Sequence, residues 1–330
     1  MTKIIESLIQ AKAAQAHPLL KRIYTKTDLY KQCAHELQED IERLESDHLA
    51  LLFAKYASIT GRHPSEYKTR LINCDNGNIA LCGIRFRGMD ISQPFVTVTT
   101  TLKPLSVNSI NILVDNISKA FHAFKPQYAQ FYIPSYLDIE PANFSSAHWD
   151  NRILANSLYT LAENAVQDIA CPAHTKCELV SANSLTFYNQ YEMAYNKLLD
   201  EFPQHAVMME LKPIEDMRTW VAQGFVNLLC VNDKLAGVII VEPDNSLGMT
   251  GFYIIENIVF SEYRGQGLGK WMQQAMIYKL VKNQSRQSER QKTDMLFGTI
   301  HFDNTSAIQC AKSVGRDDIG GYLWVATGIK

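Results

Sequence analysis

The residues best placed to do chemistry lie in Phe260-Ser-Glu-Tyr-Arg-Gly-Gln-Gly-Leu-Gly-Lys270, whose inner pattern is Arg264-x-x-Gly267-x-Gly269. Glycines let the chain turn tightly and leave no side chain between the backbone and a guest. The first amides of a helix lack intrahelical partners, and the helix dipole favours an anion there. Such a loop opening a helix suits a phosphate or pyrophosphate. Arg264 and Lys270 add positive charge beside it. The same pattern also fits a plain tight turn before a helix. The spacing is not that of a dinucleotide fingerprint or of a Gly-Lys-Ser/Thr phosphate loop.

The elements around the loop are legible from pattern. An apolar strand at 253–260 runs into it and a helix at 268–281 runs out. Residues 1–60 read as helices, with Leu37, Ile41, Leu44 and Leu51 at helical spacing and breaks at His17-Pro18 and 25–28. Strands at 70–74 and 78–87 form a hairpin about Asn76-Gly77. A strand at 95–102, a helix through Ile110, Leu113, Val114, Ile117, Phe121 and Phe124, and a strand at 127–133 follow. The stretch 151–166 reads as a helix, and Pro172 as a linker.

The order then recurs. A strand at 178–181, helices at 185–199 and 213–223, and a hairpin of 225–231 and 235–241 about Asn232-Asp233 precede the glycine loop. After it come a polar stretch at 283–294, a strand at 295–302, a helix at 304–314 and a strand at 322–327. The hairpin turns at 76 and 232 lie 156 residues apart, and the long helices beginning near 108 and 266 lie 158 apart. This predicts two copies of one mixed-sheet α/β architecture, 1–172 and 173–330. The first copy reads Lys103-Pro-Leu-Ser-Val-Asn108 where the second has its glycines. Pro104 has no N–H to offer, so no coenzyme site is expected there.

The segment Glu256-Asn-Ile-Val-Phe-Ser-Glu-Tyr-Arg-Gly-Gln-Gly-Leu-Gly269 resembles the signature of the GNAT superfamily of acyl-CoA N-acyltransferases. The resemblance covers roughly the last half of the chain. It implies the GNAT fold for 173–330, with a tandem, degenerate copy before it. It also implies acyl transfer from acetyl-CoA, as co-substrate, to a primary amine of a small molecule or protein. The backbone of Ile258, Val259 and Phe260 would hold the pantetheine arm and polarise the thioester. Arg264, Gly265, Gln266, Gly267, Leu268, Gly269 and Lys270 would wrap the pyrophosphate. Asn304, in Asn304-x-x-Ala307…Gly315, would touch coenzyme A, and it also suits a helix N-cap.

Acyl transfer needs a base for the amine and donors for the oxyanion, and the departing thiolate gains from a proton. The resemblance places the base at Glu256. The other reading is a salt-bridged or solvent-facing strand residue, although Glu is disfavoured in strands. The Tyr that often serves as acid three or four residues after the alanine is missing, with Cys310 and Ala311 there instead. Tyr322 is taken as the candidate acid, with Tyr263 and Cys310 as substitutes and each also readable as structural. The missing Tyr leaves a second function open, a non-catalytic coenzyme A-binding or docking module. His301 reads as lining the site or as a hydrogen-bonded strand residue.

Composition narrows the rest. The 330 residues carry 32 Lys+Arg and 34 Asp+Glu, a net charge of −2. That balance predicts no nucleic-acid or anionic-membrane partner. No apolar run approaches a membrane span and no signal core opens the chain. The seven cysteines have no repeated spacing, and Cys171 and Cys177 around His174 lack a second pair. They are read as reduced thiols of a cytoplasmic protein, with no metal site.

Overall fold

The computed structural model describes residues 2–74, 77–103, 105–164, 171, 175–203, 210–284 and 294–328. Asn76, Pro104, Pro172, His174 and most of the polar stretch 283–294 lie outside the described residues. The elements are α1 (Thr2–Gln15), α2 (Pro18–Ile23), α3 (Lys26–Glu45), α4 (Asp47–Ala57), β1 (Arg70–Asn73), β2 (Ile79–Phe86), β3 (Pro94–Thr100), α5 (Val107–Ala120), β4 (Tyr128–Pro134), β5 (Ala147–Ser157) and α6 (Leu158–Asn164). They continue with β6 (Cys177–Ser181), α7 (Tyr188–Glu201), α8 (Ile214–Ala222), β7 (Val226–Val231), β8 (Lys234–Ser246), β9 (Met249–Val259), α9 (Leu268–Gln284), β10 (Met295–His301), α10 (Thr305–Ser313) and β11 (Asp317–Ala326).

Two compact units result, and a single cut does not make them. Unit 1 is Met1–Arg152, Ser246–Gly248 and Ile319–Lys330; unit 2 is Ile153–Asn245 and Met249–Asp318. The expected division at 172/173 differs from this in three segments. The stretch beginning at Ile153 belongs with the second half, and residues 246–248 and 319–330 belong with the first. Unit 1 therefore holds β1-β2-β3-β4 and most of β11 (319–326), and unit 2 holds β10-β9-β8-β7-β6. The strand β5 that follows β4 is divided, residues 147–152 counting with unit 1 and 153–157 with unit 2.

The expected helix at 151–166 is corrected. Its first half is strand β5, and α6 begins only at Leu158. Residues 153–157 are all buried in succession, the mark of a strand covered on both faces. A short apolar run of that kind has no periodicity that separates strand from helix.

In unit 1, β1, β2 and β3 pair antiparallel, and β3 then pairs parallel with β4 across α5. Ile110, Leu113, Val114 and Ile117 of α5 pack on Ala80, Cys82, Val96 and Ala129 of the sheet. The start of α5 is closed by its own side chains: Ser106 accepts from the Ser109 amide, and Ser109 accepts from the Ser106 amide.

Unit 2 repeats the strand–helix–parallel strand order as β9, α9 and β10. Its hairpin turns at Asn232 and Asp233, both at positive φ, which suits an Asn-Asp pair in a two-residue connection. The run Val238-Ile-Ile-Val241 in β8 is buried on both faces. Ile239 and Val241 pack with Met272 and Met276 of α9, and Val238 and Ile240 pack with Tyr191 and Met217 of α7 and α8.

Candidate active site

The site forms where β9 leaves β10. Their parallel pairing runs through Gly251↔Met295, Phe252↔Leu296 and Tyr253↔Phe297 and goes no further. At that point the Tyr253 and Thr299 hydroxyls share a 2.6 Å hydrogen bond. Beyond it a cavity of about 140 Å³ is lined by Glu256 and Asn257 of β9, Thr299 and His301 of β10, Asn304 before α10, and Gln273 of α9, among others.

The side-chain alternation of β9 slips where the strands part. Ile254 packs with the α9 side and Ile255 with the α7 side; further on, Ile258 faces α7 and Val259 faces α9. Strict alternation would give the reverse for the last two. One extra residue between them, as in a β-bulge, accounts for the slip and re-aims a side chain. Glu256 sits in that step. Just beyond it, beside Ile258 and Val259, β8 carries Gly237, where a Cβ would stand 2.6 Å from the Ile258 carbonyl oxygen. Only glycine lets the β8 backbone come that close to the slipped strand.

Glu256 is 8% exposed. Its Oε2 accepts from the Tyr191 hydroxyl at 3.0 Å, and its Oε1 accepts from the Asn257 amide at 2.9 Å. Burial raises its pKa above the ordinary value, against the lowering pull of those two bonds and of Lys212. Tyr191 in turn accepts from the Lys212 amide at 3.4 Å. Burial, and then the nearby carboxylate, push its phenol far up, so it stays a donor. A carboxylate held this way, with a raised pKa and one wall of a cavity, is fit to take a proton.

The glycine loop lies between β9 and α9. Gly265 and Gly267 have φ of +75° and +77°, and a Cβ on either would meet nothing within 4 Å. The left-handed backbone demands glycine, and the space above the amides is clear. The first backbone bond of α9 is from the Trp271 amide to the Gly267 carbonyl at 3.1 Å, which leaves the amides before it for a guest. Leu268 is buried and anchors the helix start, while Gln266 and Lys270 are exposed. A Cβ on Gly269 would lie 3.2 Å from Cys310 Sγ, so this glycine serves the contact of α9 with α10.

Arg264 is turned back on its own strand. Its Nε donates to the Val259 carbonyl at 2.9 Å and its Nη1 pairs with Glu201 at 2.9 Å, while Nη2 is buried without a partner. It fixes the loop to β9 and α7. The Phe260 amide is taken up by the Ala236 carbonyl at 2.8 Å, and Ile258 and Phe260 are buried against α7. Strand alternation then gives the outward amide to Val259.

Asn304 is the N-cap of α10, its Oδ1 accepting from the Ala307 amide at 3.1 Å, and it also lines the cavity. His301 also lines it, with Nδ1 accepting from the Asp303 amide. Tyr322 is not brought to the cavity. It belongs to unit 1, its ring 6.2 Å from that of Tyr132. Tyr263 packs in the core on both sides of β9. Cys310 accepts from Gln273 Nε2 at 3.2 Å, and burial raises its thiol.

Sequence reasoning missed Tyr191, Asn257, Gln273 and Arg316. The spacing Tyr188-x-x-Tyr191-x-x-x-Tyr195 marks one helix face, and reads as core. Asn257 lines the cavity, and its Oδ1 is buried without a partner.

No family model and no curated protein matches the chain. Solved structures do. A GCN5-related N-acetyltransferase from Sphaerobacter thermophilus aligns with TM-score 0.51 at 11% identity, over 94% of this chain and 95% of that one. The chain has the GNAT fold. An acetyltransferase of the GNAT family from Colwellia psychrerythraea aligns at TM-score 0.46 and 12% identity, over 86% of this chain and 97% of that one. A tandem GNAT protein from the clavulanic acid biosynthesis pathway aligns at 0.40 and 14%, over 87% and 97%. The GNAT mixed sheet is present here, with the parting of β9 from β10 beside the glycine loop. Among the described residues no helix is long and apolar enough to cross a membrane.

Proposed function

We propose that the chain is an acyl-CoA-dependent N-acyltransferase whose coenzyme site lies in unit 2. The observation that carries this is the cavity opened where β9 leaves β10, with buried Glu256 on its wall and the open glycine turn at the next helix start. The clear space over Gly265 and Gly267 and the unpartnered Asn257 Oδ1 fit a pyrophosphate and an amide-bearing arm. In this reading unit 1 holds no coenzyme. Ser106 caps the helix start there. The cavity beside the β3–β4 pair is about 20 Å³, with Lys12 and Gln15 of α1 on its wall.

In this reading the loop amides at 265–270 hold the diphosphate, with Lys270 beside it, and Asn304 meets the coenzyme at the mouth of the cavity. The acceptor is a primary amine of a small molecule or protein. Its nitrogen lone pair attacks the thioester carbonyl carbon, and the Glu256 carboxylate takes the proton that the nitrogen sheds. The Val259 amide faces the oxygen that gains charge. The C–S bond then breaks, the thiolate leaves with the bonding pair, and a solvent proton restores the thiol. A buried thiol such as Cys310 is not needed for that step, since a thiol of pKa ~8.5 leaves readily.

The test is acetyl-CoA turnover over a panel of amines and peptides. Glu256→Gln should lower kcat by about 10²–10⁴-fold, the usual worth of a general base, with coenzyme A binding retained. Coenzyme binding with no turnover of any amine by the wild type would instead favour a non-catalytic coenzyme A module, the reading that Ala311 in place of a hydroxyl acid leaves standing.

A further inference from the structure

Arg316 lines the cavity and has no part in the steps above. It follows Gly315 after α10 and is 3% exposed. Its Nε and Nη2 donate to the Leu154 carbonyl at 3.2 and 2.8 Å, and its Nη1 donates to Gln273 Oε1 at 3.3 Å. All of these acceptors are neutral, and they leave part of the five-donor fork unused. Among the described residues no carboxylate pairs with it, and burial pulls its pKa down to about 10. A guanidinium taken out of water without an anion is costly. Gly298 on β10 keeps the approach open, since a Cβ there would lie 3.3 Å from Nη2.

In the reading above the parts of coenzyme A do not supply the missing charge. The pantetheine arm is uncharged, the diphosphate belongs with the glycine loop, and the ribose 3′-phosphate lies beyond the diphosphate, at the end of the molecule away from the thioester. What remains is a reactant's own charge. Gln273, the side-chain partner of Arg316, sits on α9, whereas Glu256 turns to Tyr191 on α7. The guanidinium is thus on the helix side that the glycine loop opens, the donor's side. The cavity, at about 140 Å³, is close in size to an engineered cavity of about 150 Å³ that accepts benzene, ample for more than an acetyl group.

We infer that Arg316 receives a carboxylate carried by a reactant, in the first place on the acyl group, so that the donor is the coenzyme A thioester of a dicarboxylic acid. This rests on the coenzyme reading above. The second source of the same chemistry is a carboxylate on the acceptor amine.

Two arms with the full chain test it. In the first, calorimetry compares succinyl-coenzyme A with butyryl-coenzyme A, which matches its chain length without the charge. The succinyl thioester should bind at least about tenfold tighter, the scale of one charge-assisted hydrogen bond. The ratio should fall to near one in Arg316→Gln and lie between in Arg316→Lys. The wild-type ratio reads the proposal by itself if a variant does not fold. In the second arm, α-amino acids are compared with their decarboxylated amines as acceptors of an acetyl group. A tenfold kcat/KM preference for the amino acid that vanishes in Arg316→Gln puts the carboxylate on the acceptor. No preference in either arm, or a preference that survives in folded Arg316→Gln, overturns the proposal and leaves the coenzyme reading intact. Failure of every thioester and of free coenzyme A to bind overturns both.

Discussion

Tyr191 sets the state of Glu256. Its hydroxyl is the side-chain donor on a carboxylate that burial drives toward the neutral form. Tyr191→Phe removes that donor, so the Glu256 pKa rises further. The acid limb of kcat/KM should then move to higher pH, with a stability loss of about 1–3 kcal/mol for the orphaned acceptor. A pH–rate profile with an unmoved limb would separate Tyr191 from the reaction. The same burial has a sign in stability. The folded state binds the Glu256 proton more tightly than the unfolded chain, so ionisation costs folding free energy as pH rises through the raised pKa. Gln at 256 never ionises. The Tm advantage of Glu256→Gln over the wild type should therefore grow between mildly acidic and neutral pH, and an advantage flat with pH would mean an exposed or paired carboxylate. At this scale Glu256, the glycines and Asn304 stood out as candidates because their types are unusual for their places, and the structure sets Glu256 and Asn304 on one cavity. Arg316 was not: a single arginine after a helix reads as surface, and only burial reveals it.

The element that matters is β9. It was legible as an apolar strand entering a glycine turn, but its slip was not, because Ile254, Ile255, Ile258 and Val259 are interchangeable to a hydrophobicity pattern. The slip depends on Gly237 across the pair. Gly237→Ala drives a methyl to 2.6 Å from the Ile258 oxygen, so β8 and β9 must separate. We expect a loss of about 1–3 kcal/mol and weaker coenzyme binding, read by denaturant unfolding and calorimetry. Unchanged stability would mean that β8 relaxes freely and that the close approach is incidental. The helix expected at 151–166 failed for a related reason. Residues 153–157 are buried on both faces, which erases the period that distinguishes strand from helix.

At the scale of the whole chain, the repeat in element order was visible in spacing alone, while the unit boundaries were not. β5 opens on mostly polar residues and ends on a buried stretch, β11 opens on Asp317 and Asp318, and nothing in either pattern says that a unit ends inside the strand. The two units differ most at their helix starts. α5 begins under a reciprocal Ser106–Ser109 cap, and α9 begins at an open turn with two glycines at positive φ. The proposed function therefore expects one coenzyme per chain. Titration calorimetry of coenzyme A into the wild type and into Gly267→Val tests this directly. The account predicts a stoichiometry of one per chain in the wild type and loss of binding in a variant that still folds. A β-branched residue at φ of +77° is strained and puts methyl groups over the amides. Two sites per chain, or unchanged affinity in folded Gly267→Val, would contradict it.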